Sequence, residues 1–300
     1  MLFQIQKYFS NWLKGNKTVF TFDPQDITYG RDLNEWQVGI GISIDGSRLP
    51  GEIDNLKNIN ATTAKQLAEI WESWKGDKSS FEEKAKQEVL GLGKGKIRMM
   101  HDFIERKNVA IQKMATDSSY QLDIDDILPP PAIELMEALM NTARASGIVE
   151  ENLFLTILKY LSDANALLEV PCLKISSVMF AGLARSASLG EKKPPKSTVD
   201  VQFISSYLPY CDAMFVDKQS ARMIRELPSS APEHLRLNHY KAKIFTLNER
   251  DDFLQYLEDV VNQLSAEQIE ALRDVEGDDF TKPFWSIIEQ EKLNIKRDKI

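Results

Sequence analysis

The chain is poor in the residues that staple small folds or hold soft metals. Two cysteines, Cys172 and Cys211, and three histidines, His101, His234 and His239, are spread over 300 residues. The cysteines stand in no metal-ligand spacing and outline no disulfide framework. In a cytoplasmic chain they are expected as reduced thiols, packed as small hydrophobes in apolar segments. The histidines stand in neither a zinc-ligand nor a triad spacing. Long apolar runs are missing as well. No stretch approaches the roughly 20 residues needed to cross a bilayer, so no membrane partner is expected. Residues 1–17 lack the apolar core and small-residue cleavage site of a signal peptide. Positive charge is in deficit, with 37 Lys and Arg against 45 Asp and Glu and a net charge of −8. That excludes a protein that grips nucleic acid through a general basic coat. It leaves room for an enzyme whose carboxylates hold cations, because bound cations invert the local field. A phosphate loop is absent too. The segment GLGKG at 91–95 lacks the full GxxxxGK[ST] pattern and a preceding strand, which argues against a nucleotide-binding α/β protein.

What is present is a globular composition, 43% hydrophobic and 27% charged, long enough for one large domain or two smaller ones. Residues 2–13 carry Phe3, Tyr8, Phe9 and Trp12 at helical spacing. KTVFTFD at 17–23 and WQVGIGISID at 36–45 read as strands, ending at Asp23 and Asp45. A helix is expected from 60 to about 74, with Leu67, Ile70, Trp71 and Trp74 on one face. A second is expected from a capping box at Ser79 and Glu82, interrupted by the glycines at 91–95, with helix again over 97–114. The acidic stretch with Asp123, Asp125 and Asp126, followed by Pro129, Pro130 and Pro131, marks a boundary. Helices follow over 132–145, 150–168 and 171–187, then a polar loop, GEKKPPKST, at 190–198.

The next segment is the most informative. A helix capped by Thr198 or Asp200 runs to about 208, with Phe203, Ile204 and Tyr207 as its apolar face. A short strand, AMFV at 213–216, ends at Asp217; a helix over 220–227 and a second short strand, KIFTL at 243–247, follow. A helix from 248 to about 264 then buries Phe253, Leu254, Leu257 and Val261. Helix, strand, helix, strand, helix is the grammar of an α/β domain with a parallel sheet. In such sheets, sites gather at the carboxyl ends of strands. Asp217 has that position, Asp212 lies at or just before the start of the same strand, and Asp200 lies at the start of the preceding helix. Carboxylates so placed suit a hard cation with oxygen ligands. Each alone also has a plain role as a helix cap or turn residue.

The segment STVDVQFISSYLPYCDAMFVDKQSARMI resembles the last conserved block of PIN-like nucleases. In that family an Asp opens a helix, a short hydrophobic strand follows, and a second Asp ends the strand. Asp200 matches the first and Asp217 the second. LPYCDAMFVDK, with Asp212, is similar to a bacterial PIN-like subgroup. The resemblance covers roughly residues 170–262. It implies an α/β fold, a PIN-like parallel sheet flanked by helices, with a large additional helical region. It also implies cleavage of RNA, or less often DNA, by a water activated on Mg²⁺ or Mn²⁺ bound by Asp200, Asp212 and Asp217. In this family the first strand ends in a further essential Asp. The candidates are Asp23, followed unusually by Pro24, and Asp45, while Glu88 is a candidate for the middle acid. The domain is thus split by a helical insertion, or its first strand lies elsewhere, or the site is incomplete and inactive.

The reading that results is a metal-dependent ribonuclease of toxin or phage-defence type, with Asp200, Asp212, Asp217 and Asp23 as metal ligands. The alternative is an inactive PIN-like scaffold that binds a protein partner. Segments 1–128, 129–264 and 265–300 are expected as an N-terminal strand-containing and helical region, the α/β core and a helical tail. Phe284 and Trp285 in the tail are a candidate contact for a partner, an inhibitor or a second copy. Lys192, Lys193, Lys196, Arg222 and Arg225 flank the acids, either as phosphate contacts or as solvated surface charge.

Overall fold

A computed structural model describes residues 2–17, 52–117, 120, 130–191 and 198–276. The described chain is mostly helical, with one small parallel sheet, and it divides into two compact units. The first comprises 1–212 and 222–242, the second 213–221 and 243–300. The expected divisions near 128 and 264 are not where the units part. Helices on both sides of the proline-rich stretch share one core. None of the described helices is long and apolar enough to cross a membrane. The expected strands over 17–23 and 36–45, with Asp23 and Asp45, lie outside the described residues, as do Asp123, Asp125, Asp126, Phe280, Phe284 and Trp285.

In the first unit, α1 (Leu2–Leu13), α2 (Glu52–Lys75) and α3 (Phe81–Thr116) precede α4 (Pro131–Ala145), α5 (Glu150–Leu161), α6 (Ala164–Glu169), α7 (Pro171–Ser188) and α8 (Val199–Tyr207). The hub is α7, which packs against α2, α3, α6 and α8. Twelve of its residues are buried, from Pro171 to Ala187. A helix apolar on nearly every side is stable only when surrounded in this way. Its β-branched and small residues (Ile175, Ser176, Ser177, Val178, Ala181, Ala184) let neighbours approach closely, and Gly182 sits against the Met223 side chain.

Three local expectations are corrected. The capping box lies one residue on: Ser80 accepts from the Glu83 amide while Glu83 accepts from the Ser80 amide. The glycines do not interrupt the helix, since α3 runs unbroken through Gly91, Gly93 and Gly95. The physical reason is visible at Gly93, where a Cβ would stand 2.7 Å from the Leu161 carbonyl oxygen. Glycine here permits close packing and does not mark a bend. The third is the expected helix over 150–168, which is two helices. Asp163 accepts from the amides of Asn165 and Ala166 and so caps α6 afresh. Two expected buried faces also shift. Ile70 is exposed beside buried Leu67, Trp71 and Trp74, and in α8 the buried residues are Val201, Ile204 and Ser205. Phe203 and Tyr207 face outward, ring against ring at 4.7 Å.

The second unit holds β1 (Ala213–Phe215), the first turn of α9 (Lys218–Arg225), β2 (Lys243–Phe245) and α10 (Arg250–Asn262), followed by α11 (Ala266–Glu276). β1 and β2 pair in parallel, Ala213 opposite Lys243 and Phe215 opposite Phe245. Phe253 of α10 packs against Phe215 and Phe245, each at 5.2 Å, and Tyr256 against Phe245 at 5.6 Å. Of the expected inward residues of α10, Leu254 is buried, while Phe253, Leu257 and Val261 are half-buried. Thr246 and Glu249 form a capping box ahead of α10.

Candidate functional site

Asp217 follows β1 and opens α9. Its Oδ1 accepts from the Gln219 amide at 2.7 Å and the Ser220 amide at 3.0 Å, and its Oδ2 accepts from the Ser220 hydroxyl at 2.6 Å. The sequence Asp-Lys-Gln-Ser dictates this geometry: an acceptor at the helix start meets amides two and three residues on. A carboxylate offers about four acceptor sites. Three are taken, so one remains on Oδ2, and Asp217 itself is exposed.

Asp200 lies in the first turn of α8, where its charge favours the positive helix end. The cap position belongs to Thr198, whose side chain makes no capping bond. Asp212 is exposed immediately before β1. Together with burial, the larger cause, its charge pushes the Cys211 thiol above its ordinary value. Neither Asp200 nor Asp212 is hydrogen-bonded or ion-paired among the described residues. Asp200 and Asp212 belong to the first unit and Asp217 to the second. Glu88 is tied into a network on α3: Lys84 lies 3.2 Å from it and 3.0 Å from Asp77, with its ammonium 5.5 Å from the Trp74 ring centroid. Arg222 pairs with Glu191 at 3.7 Å and Glu226 at 3.9 Å. Asp23, Lys192, Lys193 and Lys196 lie outside the described residues.

Other groupings were not drawn from the sequence. Among the described residues, the set of three His, Asp and Glu ligand atoms that comes within 4.8 Å is His101, Asp102 and Glu105 on α3. The spacing of His101 and Glu105, one helical turn, is a signal that could have found it. All three are exposed, with Asp102 and Glu105 at 3.7 and 3.9 Å from the His101 Nδ1, which is the geometry of ordinary helix-surface pairs. A cavity of about 470 Å³ in the first unit is lined by Tyr8, Lys17, Glu169, Lys174, His234 and His239, among others. These residues are scattered along the chain, and only the fold joins them. A smaller cavity of about 250 Å³ involves Asp77, Ser80, Lys84 and Arg185, and the helix start on its wall is already closed by the Ser80–Glu83 box.

No protein-family model matches this chain, and no curated protein or solved structure is significantly similar to it.

Proposed function

We propose that this chain is a metal-dependent nuclease of the PIN-like type, acting on RNA. The observation that carries the reading is the parallel β1–α9–β2 unit with Asp217 at the carboxyl end of β1, where open α/β sheets gather their chemistry. It is supported by the remaining acceptor position on Asp217 Oδ2 and by the exposed carboxylates of Asp200 and Asp212, which make no hydrogen bond or ion pair among the described residues. The donor set is all oxygen, which fits Mg²⁺ or Mn²⁺. Asp200, Asp212 and Asp217, with Asp23, would hold the cation. Bound there, it would supply a water of lowered pKa and charge neutralisation at the scissile phosphate. The contribution of the α9 amides and the Ser220 hydroxyl is orientation, because the amides fix Asp217 through Oδ1 and the hydroxyl through Oδ2, leaving one acceptor position on Oδ2. RNA as the substrate, and a role as toxin or phage-defence effector, rest on the sequence resemblance.

The test is a calorimetric Mn²⁺ titration of the wild-type chain beside Asp200→Asn/Asp212→Asn and Asp200→Asn/Asp217→Asn, followed by RNA cleavage with the same proteins. Saturable binding in the wild type, lost in both variants together with cleavage, is expected. The exposed positions keep unfolding stability within about 0.5 kcal/mol for Asp200→Asn/Asp212→Asn, so loss of binding is not loss of fold. A wild-type chain that neither binds Mn²⁺ nor cleaves RNA would sink the reading. The second reading, a non-catalytic partner-binding protein, is favoured by the three hydrogen bonds that already occupy Asp217. On that reading Asp217→Ala costs about 1 kcal/mol of stability through the lost cap and has no effect on any cleavage.

A further inference from the structure

We propose that the cavity beside the first turn of α7 binds a phosphomonoester carrying a sugar, of the size of a nucleoside monophosphate. Its volume, about 470 Å³, falls in the range of about 300–1,000 Å³ typical of small-molecule sites. Lys17, Lys174, His234 and His239 converge on it, against a single carboxylate, Glu169. In a chain of net charge −8 this is a local reversal of sign inside a concave wall, the arrangement that focuses potential on an anion.

Lys174 gives the argument its force. Lys174 is half-buried, and that burial holds its amine below the ordinary lysine range. It makes no ion pair among the described residues. His239 faces the same charge: burial first, then Lys174, holds it below its ordinary value. Part-burial of an ammonium that has no ion pair among the described residues is a cost that a bound anion offsets. A phosphate between Lys174 and the exposed imidazole of His239 gains charge-assisted hydrogen bonds from the ammonium and favours the protonated, donating form of the imidazole. His239 is held in place for this, since it packs on Tyr240 at 4.1 Å and hydrogen-bonds the Arg236 backbone. The helix start is not what makes the site: Pro171 has no amide hydrogen, and the Cys172 amide already donates to Gln4 Oε1 at 2.9 Å. Asn165 and Glu169 on the same wall supply the neutral donor and the acceptors that sugar hydroxyls require.

The experiment is calorimetry on the full chain with three probes, inorganic phosphate, adenosine 5′-monophosphate and adenosine. It is repeated on Lys174→Met, His239→Gln and Asp200→Asn/Asp212→Asn. Saturable binding of the monophosphate, at least tenfold tighter than phosphate, and none of adenosine, is expected. Lys174→Met should weaken it at least tenfold and His239→Gln severalfold. The carboxylate variant should bind as the wild type does, which separates this cavity from the proposed metal site. In phosphate-free buffer Lys174→Met should melt at the same temperature as the wild type or higher, because a half-buried ammonium with no ion pair among the described residues has been removed. No saturable binding of phosphate or monophosphate, or wild-type affinity in Lys174→Met, would overturn the proposal. Equal affinity for phosphate and monophosphate would overturn its sugar component.

Discussion

Replacing single glycines in α3 by alanine should change stability in opposite directions two residues apart. Around Gly91 and Gly95, a Cβ meets nothing within 4 Å among the described residues. Alanine there should add up to about 1 kcal/mol each, the usual gain over glycine inside a helix. At Gly93 the added carbon would stand 2.7 Å from the Leu161 carbonyl oxygen and 3.6 Å from Leu167 Cδ1. The nearest obstacle is backbone at the end of α5, so relief requires a shift of α3 against α5. Overpacking of this kind costs about 1–3 kcal/mol, which outweighs the propensity gain. The propensity gain is common to the three positions, so the expected separation between Gly93→Ala and either neighbour is the overpacking cost, about 1–3 kcal/mol. At about 2–4 °C per kcal/mol for a unit of this size, that is a gap on the order of 2–12 °C. Thermal and urea unfolding, followed by fluorescence of the buried Trp71 and Trp74, would measure it. If Gly93→Ala proved as stable as Gly91→Ala, the close contact of α3 with α5, and the account of why this helix carries its glycines, would be wrong.

Two further perturbations test the interior. The Asp77 carboxyl is held down from its ordinary 3.8 to about 2, first by the Ser79 hydroxyl, then by the Ser79 amide at 2.9 Å and by Lys84. A depressed folded-state value contributes stability that is complete above pH 3.8 and is lost as pH falls toward about 2. Asp77→Asn should therefore flatten the acid limb of the urea midpoint against pH in that window, and an unchanged limb would refute the assignment. The Tyr160 hydroxyl is buried without a hydrogen-bond partner among the described residues, and its ring packs against Phe9 and Trp12. Tyr160→Phe should hold stability or raise it by about 1 kcal/mol, since an unmade buried hydrogen bond is itself a cost. A loss above that size in chemical denaturation would show a partner for the hydroxyl.

Much of the helical content was legible, because long periodic runs such as 2–13, 132–145 and 171–187 announce themselves by spacing. The strand just before Asp217 and the parallel partner after it were legible for a different reason: a short apolar run between polar segments, AMFV at 213–216 and KIFTL at 243–247, with a helix between. What failed was punctuation. Glycine reads as a break when the sequence alone is considered, yet at Gly93 it answers to a neighbour, Leu161, that is close only in space. Conversely, Asp163 is an ordinary acid in sequence, and its capping of α6 ends what periodicity reads as one helix. The amphipathic face of α8 was misjudged because aromatic side chains count as apolar in any pattern, while Phe203 and Tyr207 cover each other at the surface. Asp200, Asp212 and Asp217 were singled out by type and position in the sequence, and the structure adds that all three are exposed and that Asp217 follows β1. That Asp217 also caps α9 was implied by Ser220 three residues on. The gathering of Lys174 with His234 and His239 was beyond reach, because it depends on long-range packing.

The chain crosses between its two units at 212–213, 221–222 and 242–243. Each unit is therefore threaded through the other in sequence, and no single cut yields either one whole. The parallel pair of β1 and β2 can form only after the 27 residues from 216 to 242 have been gathered into a loop, and the entropy of that closure precedes any reward from the sheet. Ribosomal synthesis delivers β1 well before its partner, so the sequence around Asp212 and Asp217 must wait, unpaired, while the helical unit takes shape. A chain cut short before Lys243 would leave β1 permanently without its mate.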